Sequence, residues 1–322
     1  MGDEPLLCVD DMRLTLRNGV RLLDGVSLSV QRGEALGVVG ESGSGKSLTA
    51  LSILRLVPDV VTEGSLRLNG VELTTLSERA LRRVRGRKAA MVFQDPMTAF
   101  FPVRSVGEQI VEQIRLHRKI RFRAAWDEAV ALLARMGVPD ADGAARRYPH
   151  QLSGGLRQRA MIAMALSCTP DLLIADEPTT ALDVTVQAQI LRLFQEIRAR
   201  GSGLMIITHD VGVVAQTCTR VAVMYAGVVV EEGPTEAVLN KPLHPYTQAL
   251  IAAVPPLEGD RPERLQSLSG TPPNPASRPV GCVFAPRCLY VSDACHTRPI
   301  LNVGITGRKV ACILYDGAEA LD

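Results

Sequence analysis

A glycine-rich stretch that follows an apolar run carries residues that could bind the phosphates of a nucleotide. Residues 38–47 read Val-Val-Gly-Glu-Ser-Gly-Ser-Gly-Lys-Ser and match G-x-x-x-x-G-K-[ST] between a predicted strand and a predicted helix. Glycines let successive backbone N–H groups curl around phosphate oxygens, and the N-terminus of the following helix adds positive charge. In such a loop Lys46 reaches the β- and γ-phosphates and the Ser47 hydroxyl binds Mg²⁺. The predicted nucleotide contacts here are Gly40, Ser42, Gly43, Ser44, Gly45, Lys46, Ser47 and Leu48. A glycine-rich turn without a chemical role is the alternative.

A second apolar run ends in two adjacent carboxylates. Residues 172–178 read Leu-Leu-Ile-Ala-Asp-Glu-Pro. In a phosphoryl-transfer site the first acid, here Asp176, holds Mg²⁺, and the second, Glu177, polarises the attacking water. An exposed acidic end of a strand is the other interpretation.

A third stretch could also bind an anion. Ser153, Gly154 and Gly155 stand before a helix that is predicted to begin near Leu156, so backbone amides, a hydroxyl and a helix dipole would point at one place. An ordinary helix N-cap with a flexible approach has the same pattern.

The elements that must position these residues are short, continuous apolar runs. Such runs are typical of strands covered on both faces of a sheet, and they are Ala35 to Val39, Ala89 to Phe93, Leu172 to Ala175, Leu204 to Ile207 and Val221 to Met224. Four of them end in residues suited to phosphate or metal chemistry, namely Gly40 with its loop, Gln94, Asp176 with Glu177, and Thr208 with His209. Ligands collect beyond the carboxyl ends of such strands. We therefore predict one nucleotide site built from distant parts of the chain.

The rest of the sequence predicts a pair of strands, a helical segment and an extended tail. Val9 to Leu16 and Arg21 to Val30 are predicted strands around a turn, and the helical spacing of Val106 to His117 and Arg123 to Met136 indicates an inserted helical segment. After Pro242 the chain is rich in proline, which predicts an extended tail.

Composition excludes several classes of protein. The 322 residues are 46% hydrophobic and 22% charged, as in an ordinary globular protein. A formal net charge of +2 provides no field for a polyanion, so nucleic acid is not an expected partner. No uncharged apolar run approaches the roughly 18 residues that span a bilayer, and Asp3 and Glu4 stand where a secretory signal would be basic. These features predict a cytoplasmic protein.

Together the motifs resemble the ATP-binding subunits of ATP-binding cassette (ABC) transporters. The matching residues, in the order and approximate spacing of that family, are the loop at 40–47, Gln94 followed by Asp95-Pro96, the signature at 152–155, Asp176-Glu177, Ala181-Leu182-Asp183 and His209-Asp210. The resemblance spans about Leu7 to Gly233. It implies an α/β fold: an ABC-type P-loop ATPase domain with a RecA-like core, an antiparallel β subdomain and an inserted helical subdomain. Two such domains pair head to tail, with ATP between the phosphate loop of one and the signature of the other.

The resemblance also implies a role for each matched position. Gln94 senses Mg²⁺ and the γ-phosphate, Glu177 is the general base and His209 contacts the γ-phosphate, which makes these three the expected catalytic residues. Mg²⁺ is held through Ser47, Gln94 and Asp176. Ser153, Gly154 and Gly155 serve ATP bound mainly on the partner, and Asp183 communicates across the dimer. The family commonly stacks adenine on an aromatic ring near the first hairpin. Residues 16–19 contain none, and Arg17 could stack in its place through its planar guanidinium.

The tail resembles one branch of the family. His244 to Leu250, the proline-rich run and residues 281–288 look like the C-terminal extension of ATPases that serve oligopeptide and dipeptide importers. Gln94 to Thr98 fits the same branch, although Ala99-Phe100-Phe101 departs from its usual Ser-Leu-Asn. Importers of nickel and metal chelates share much of this extension and remain an alternative, as does, more remotely, a soluble ABC ATPase outside transport.

Four of the seven cysteines lie in this tail, at Cys282, Cys288, Cys295 and Cys312. In a reducing cytosol such a cluster favours a metal site over disulfides. The branch resemblance implies a 4Fe-4S cluster, and Zn²⁺ or free thiols are the alternatives. Cys8, Cys168 and Cys218 stand singly and are predicted to be buried thiols.

The predicted organisation follows from these assignments. Residues 1–240 form the nucleotide-binding domain, with the helical subdomain at about 95–160, and residues 241–322 form an irregular extension that carries the cysteines. The resemblance implies an ATPase that binds ATP and Mg²⁺ at the cytoplasmic face of the membrane. Its expected partners are a second ABC ATPase, normally a different chain, two transmembrane permeases and, through them, an extracytoplasmic solute-binding protein.

Overall fold

The computed structural model describes residues 4–180, 182–253, 268–297, 299, 302–305 and 307–315. The chain divides into two compact units. The first contains the residues up to Leu6, Val30–Glu34 and Thr75–Ile206, and the second contains Leu7–Ser29, Ala35–Thr74 and the described residues from Ile207 onward.

The strands follow the short apolar runs of the sequence. They are β1 Leu7–Leu16, β2 Arg21–Val30, β3 Ala35–Val39, β4 Val60–Leu68, β5 Val71–Glu72, β6 Ala89–Val92, β7 Leu172–Asp176, β8 Gly203–Ile207, β9 Arg220–Tyr225, β10 Val228–Pro234, β11 Asn302–Ile305 and β12 Arg308–Val310. The helices are α1 Lys46–Ile53, α2 Glu78–Val84, α3 Val106–His117, α4 Phe122–Arg135, α5 Ala141–Arg146, α6 Gly154–Leu166, α7 Val184–Ala199, α8 Val211–Thr217, α9 Thr235–Asn240 and α10 Pro245–Ala252. In the described part of the chain, no helix combines the length and the apolar character that crossing a membrane requires.

The second unit contains two sheet regions. An antiparallel sheet has the order β2-β1-β4-β5, with Leu7 opposite Leu68 and Leu16 opposite Val60. In the other region β3 pairs in parallel with β9, β10 returns antiparallel to β9, and β12 adds to β10. Every residue of β3 is buried, as the continuous apolar run predicts for a central strand.

The first unit joins the strands β8-β7-β6 to the inserted helices. Helix α3 begins with a capping box in which Ser105 accepts a hydrogen bond from the N–H of Glu108 and the Glu108 carboxylate accepts one from the N–H of Ser105. Gly137, at φ +70°, lies just beyond the end of α4, where glycine commonly ends a helix. The apolar sides of α3, α4 and α5 pack on one another and form a small helical core.

The prediction of an extended tail after Pro242 is wrong for two stretches. Pro245–Ala252 is a helix, because Pro245 occupies the first helical turn, where its missing N–H costs nothing, and His244 Nδ1 accepts a hydrogen bond from the N–H of Tyr246. Strands β11 and β12 form a hairpin. The prolines between residues 254 and 267 lie outside the described residues.

A buried ion pair joins this hairpin to the preceding sheet. Glu231 of β10 is fully buried, pairs with Arg308 of β12, and accepts hydrogen bonds from the N–H groups of Leu243 and His244. Removing one partner of a buried pair leaves an uncompensated charge, which is more costly than the loss of an exposed pair.

We therefore expect Arg308→Met to lower the free energy of unfolding by about 3 kcal/mol, measured by urea unfolding of the full chain. Lys309→Met is the matched control, because Lys309 is adjacent in sequence and 38% exposed, and its partner Glu232 keeps a second ion pair with Arg220. The control is expected to cost less than about 1 kcal/mol. Equal losses in the two variants would contradict the assigned role of the buried pair.

Candidate nucleotide site

The phosphate loop lies in the second unit, between the end of β3 and the start of α1. Gly40 and Gly45 have φ values of +150° and +104°. A Cβ atom on Gly40 would lie 2.2 Å from the carbonyl oxygen of Met224 and 2.9 Å from Ser44 Oγ. Neither the backbone angle nor the space admits a side chain, so the loop is specified by its glycines.

Lys46 is the first residue of α1, and its side chain folds back into the loop. Lys46 Nζ donates hydrogen bonds to the carbonyl oxygens of Gly40 at 2.7 Å and Glu41 at 2.8 Å. The carbonyl oxygen of Ser44 accepts a hydrogen bond from the N–H of Gly227, which ties the loop to the turn after β9. The loop thus holds a buried ammonium where the sequence predicts phosphate binding.

His209 lies in the same unit, beside the strand that leads into the loop. The N–H of Thr208 donates to the carbonyl oxygen of Val38, the last but one residue of β3. His209 follows at once and is exposed, and Asp210 caps α8 by accepting hydrogen bonds from the N–H groups of Gly212 and Val213. The predicted γ-phosphate switch therefore stands at the carboxyl ends of the strands.

In the first unit, β6 and β7 are neighbouring parallel strands. Gln94 follows β6, Asp176 is the last residue of β7, and Glu177 comes directly after it. Val92 of β6 lies opposite Ala175 of β7, so Gln94 and Glu177 each stand two residues beyond a paired position. Gln94 is exposed, whereas Asp176 and Glu177 are buried. These residues therefore stand together at the carboxyl edge of β6 and β7.

Two side chains that the sequence did not single out hold the loop after β7. Glu177 has a left-handed backbone with φ +48°, and its Oε2 accepts a hydrogen bond from Thr180 Oγ1 at 3.0 Å. Gln158 Nε2, on the buried side of α6, donates to the carbonyl oxygen of Pro178 at 3.0 Å. The unusual backbone of Glu177 at a strand end is a feature that clusters at functional sites. The position of Thr180, three residues after Glu177, is the only local signal for this contact.

The signature residues lie at the N-terminus of α6, in the first unit. The helix begins at Gly154, two residues before Leu156, and Ser153 Oγ caps it by accepting a hydrogen bond from the N–H of Leu156. Ser153 and Gly154 are exposed, and a Cβ atom on Gly154 would meet nothing within 4 Å. Gly155 is the second residue of the helix. This helix N-terminus is accessible to an anion.

Asp183 and Arg17 are also at the surface. Asp183 caps α7 through a 2.9 Å hydrogen bond from the N–H of Val186, and it is exposed. Arg17 Nη2 pairs with Asp59 Oδ1 at 2.9 Å, and both side chains are more than 70% exposed. Their roles in the dimer and in adenine binding stay predictions.

The four tail cysteines line one cavity in the second unit. Its wall also includes the apolar side chains of Phe284, Ile313 and Leu314, and the cysteines are Cys282, Cys288, Cys295 and Cys312. Burial raises the pKa of the thiols of Cys282, Cys288 and Cys312 above the ordinary value. Among the described residues, no group of three His, Cys, Asp or Glu side chains is arranged to hold a metal ion. Of the single cysteines, Cys168 and Cys218 are buried as predicted and Cys8 is half-buried.

Comparison with known proteins gives consistent matches. Residues 23–180 match the family model "ABC transporter", and residues 230–295 match "Oligopeptide/dipeptide transporter, C-terminal region". The oligopeptide transport ATP-binding protein AppD of Bacillus subtilis is 45% identical, with 92% of each chain covered. The dipeptide transport ATP-binding protein DppD of Escherichia coli is 47% identical, with 91% of this chain and 90% of DppD covered. The dimeric structure of the ATP-binding cassette MJ0796 bound to ADP and Pi is 26% identical with a TM-score of 0.65, covering 71% of this chain and 98% of MJ0796.

The fold and the phosphate loop define an ATPase of the P-loop class. The chain belongs to the ABC transporter family, in the group whose ATP-binding subunits carry the oligopeptide/dipeptide transporter C-terminal region.

Proposed function

We propose that this ATPase powers the uptake of oligopeptides and dipeptides through separate permease subunits. The observation that carries the proposal is the presence, on one chain, of a complete set of ATPase motifs and the peptide-transporter C-terminal region. AppD and DppD, which are named for oligopeptide and dipeptide transport, support peptides over nickel as the cargo.

The residues of the candidate site have distinct proposed roles. Lys46 and the N–H groups of the phosphate loop bind and orient the phosphates of ATP, and Leu48 belongs to the same contact set. Glu177 accepts a proton from the attacking water, and its hydrogen bond to Thr180 fixes the direction of the carboxylate. His209 donates to the γ-phosphate, where charge accumulates in the transition state.

By the family resemblance Mg²⁺ is the expected metal, and the donor chemistry of three residues suits it. The Ser47 hydroxyl, the Gln94 amide oxygen and the Asp176 carboxylate are the hard oxygen ligands that Mg²⁺ takes. The ion would supply positive charge that neutralises the phosphates.

A second ATPase subunit is required by the proposal, because the exposed N-terminus of α6 serves ATP on a partner. The dimeric MJ0796 cassette supports this pairing. By the branch resemblance the partner is a different chain, the permeases hold the pair at the cytoplasmic face of the membrane, and a solute-binding protein delivers the peptide.

A growth experiment separates peptide cargo from nickel. Deleting the gene is expected to prevent growth on a tripeptide that supplies a required amino acid, while growth on the free amino acid and nickel accumulation stay unchanged. Loss of nickel accumulation with normal peptide growth would contradict the proposal.

The cysteine cavity is proposed to hold a 4Fe-4S cluster. All four thiols line one largely apolar cavity, and four thiolates are the ligand set of such a cluster. Four thiolates are also a ligand set for Zn²⁺, and it is the resemblance to the peptide-importer branch that supports the cluster over the single ion.

Iron and sulfide analysis of anaerobically purified protein tests this assignment. We expect about four iron and four sulfide per chain, and loss of both in Cys288→Ser. Cys168→Ser is the matched control, because Cys168 is buried outside the cavity, and it is expected to keep both. One zinc per chain without iron would contradict the cluster.

A further inference from the structure

The tail reaches the phosphate loop through one arginine. Arg287 Nη1 lies 2.7 Å from Glu41 Oε2, and Arg287 Nη2 lies 3.0 Å from Glu41 Oε1. The two side chains are 5% and 24% exposed. This two-bond geometry in a mostly buried setting is the strong form of a carboxylate–guanidinium contact.

The guanidinium is held from several sides. Its Nε donates to the carbonyl oxygen of Ser269 at 2.8 Å, and Nη1 also donates to Tyr225 Oη at 3.2 Å. The Arg287 Cζ atom lies 5.7 Å from the centre of the Tyr225 ring, within the range of a cation–π contact. Arg287 is therefore fixed in place by more than its ion partner.

Glu41 is the residue that needs this partner. It follows Gly40 in the phosphate loop, and its carbonyl oxygen accepts a hydrogen bond from Lys46 Nζ. An unpaired carboxylate at this position would repel a polyphosphate and compete for the ammonium of Lys46. The N–H of Glu41 donates to Tyr246 Oη at 2.8 Å, so the tail fixes the backbone of this residue as well as its charge.

The position of Arg287 depends on the cysteine-bearing segment. Arg287 ends the short turn Ala285–Arg287, directly before Cys288. The neighbouring Phe284 ring packs edge-on against Tyr225 at 5.2 Å between ring centres. The segment that carries the cysteines thus sets where the guanidinium lies.

We propose that Arg287 is a positioning residue for ATP binding, which neutralises Glu41 and holds the phosphate loop ready for the polyphosphate. The inference rests on the proposed binding of ATP phosphates by residues 40–47. It assigns the C-terminal extension a direct part in nucleotide affinity.

Equilibrium binding of fluorescent ATP and ADP analogues to the full chain tests the inference. Arg287→Gln is expected to weaken ATP binding about 10-fold and ADP binding about 3-fold, because repulsion by the freed carboxylate grows with phosphate charge. Adding Glu41→Gln to this variant removes the repelling charge and is expected to restore ATP binding to within about twofold of wild type.

Two controls keep the result interpretable. Arg278→Gln removes another arginine of the tail, which donates to the carbonyl oxygen of Leu22 and lies 3.6 Å from Asp24, and is expected to leave both affinities unchanged. Lys46→Ala tests separately whether residues 40–47 bind ATP. Unchanged ATP affinity in that variant would show that the loop assignment itself is wrong. Unchanged ATP affinity in Arg287→Gln, equal losses for ATP and ADP, or no rescue by Glu41→Gln would overturn the inference.

Discussion

Replacing Glu177 with glutamine is expected to lower ATP turnover at least about 100-fold while leaving ATP affinity within about threefold of wild type. Glutamine keeps the size and one acceptor of the side chain, so the contact with Thr180 Oγ1 survives. The ability to accept a proton from water is lost. ATP binding depends on the phosphate loop, whereas ATP turnover depends on the general base. The substitution therefore lowers turnover and leaves affinity nearly unchanged.

ATP turnover is measured as phosphate release and ATP affinity by equilibrium binding, both with the partner ATPase present. Asp171→Asn is the matched control, because Asp171 stands just before the opposite end of β7 and pairs with Lys88 at the surface. The control is expected to keep turnover within about twofold. Turnover above about a tenth of wild type in Glu177→Gln would show that another group is the base.

Replacing Lys46 with alanine is expected to weaken ATP binding by about 100-fold. The substitution removes the buried ammonium that would pair with the phosphates. It also removes the hydrogen bonds that Lys46 Nζ donates to the carbonyl oxygens of Gly40 and Glu41, so the loop loses its closed form. Both effects act on binding before any chemistry.

Titration with a fluorescent ATP analogue measures this loss. Lys88→Ala, which removes a half-exposed lysine in the first unit, is expected to bind ATP as wild type does. An unchanged dissociation constant in Lys46→Ala would contradict the assignment of residues 40–47 as the phosphate loop.

Local patterns predicted most of the fold that positions the site. The apolar runs Ala35 to Val39 and Leu172 to Ala175 lie in buried strands, and the glycines before Lys46 have the left-handed backbone angles of a tight loop. These features depend on residues close in sequence, whose periodicity and backbone preferences act locally. The capping hydrogen bond of Ser153 sets the exact start of α6 at Gly154, two residues before Leu156.

Contacts between distant residues could not be predicted in the same way. Glu41 and Arg287 are 246 positions apart, and no periodicity links them. The proline-rich composition after Pro242 favours extended chain, whereas Pro245–Ala252 is a helix, because proline is favourable in a first helical turn. Four cysteines in one tail suggested a cluster, but only the three-dimensional structure places them around a common cavity.

Peptide uptake by reconstituted vesicles tests the central claim most directly. The chain would be combined with its partner ATPase, the two permeases and the solute-binding protein, and accumulation of a labelled tripeptide would be followed with and without ATP. We predict uptake that requires ATP and Mg²⁺ and that falls to background with Glu177→Gln. Uptake that continues at the wild-type rate with the Glu177→Gln chain, or ATP hydrolysis that no peptide stimulates while nickel does, would contradict the account.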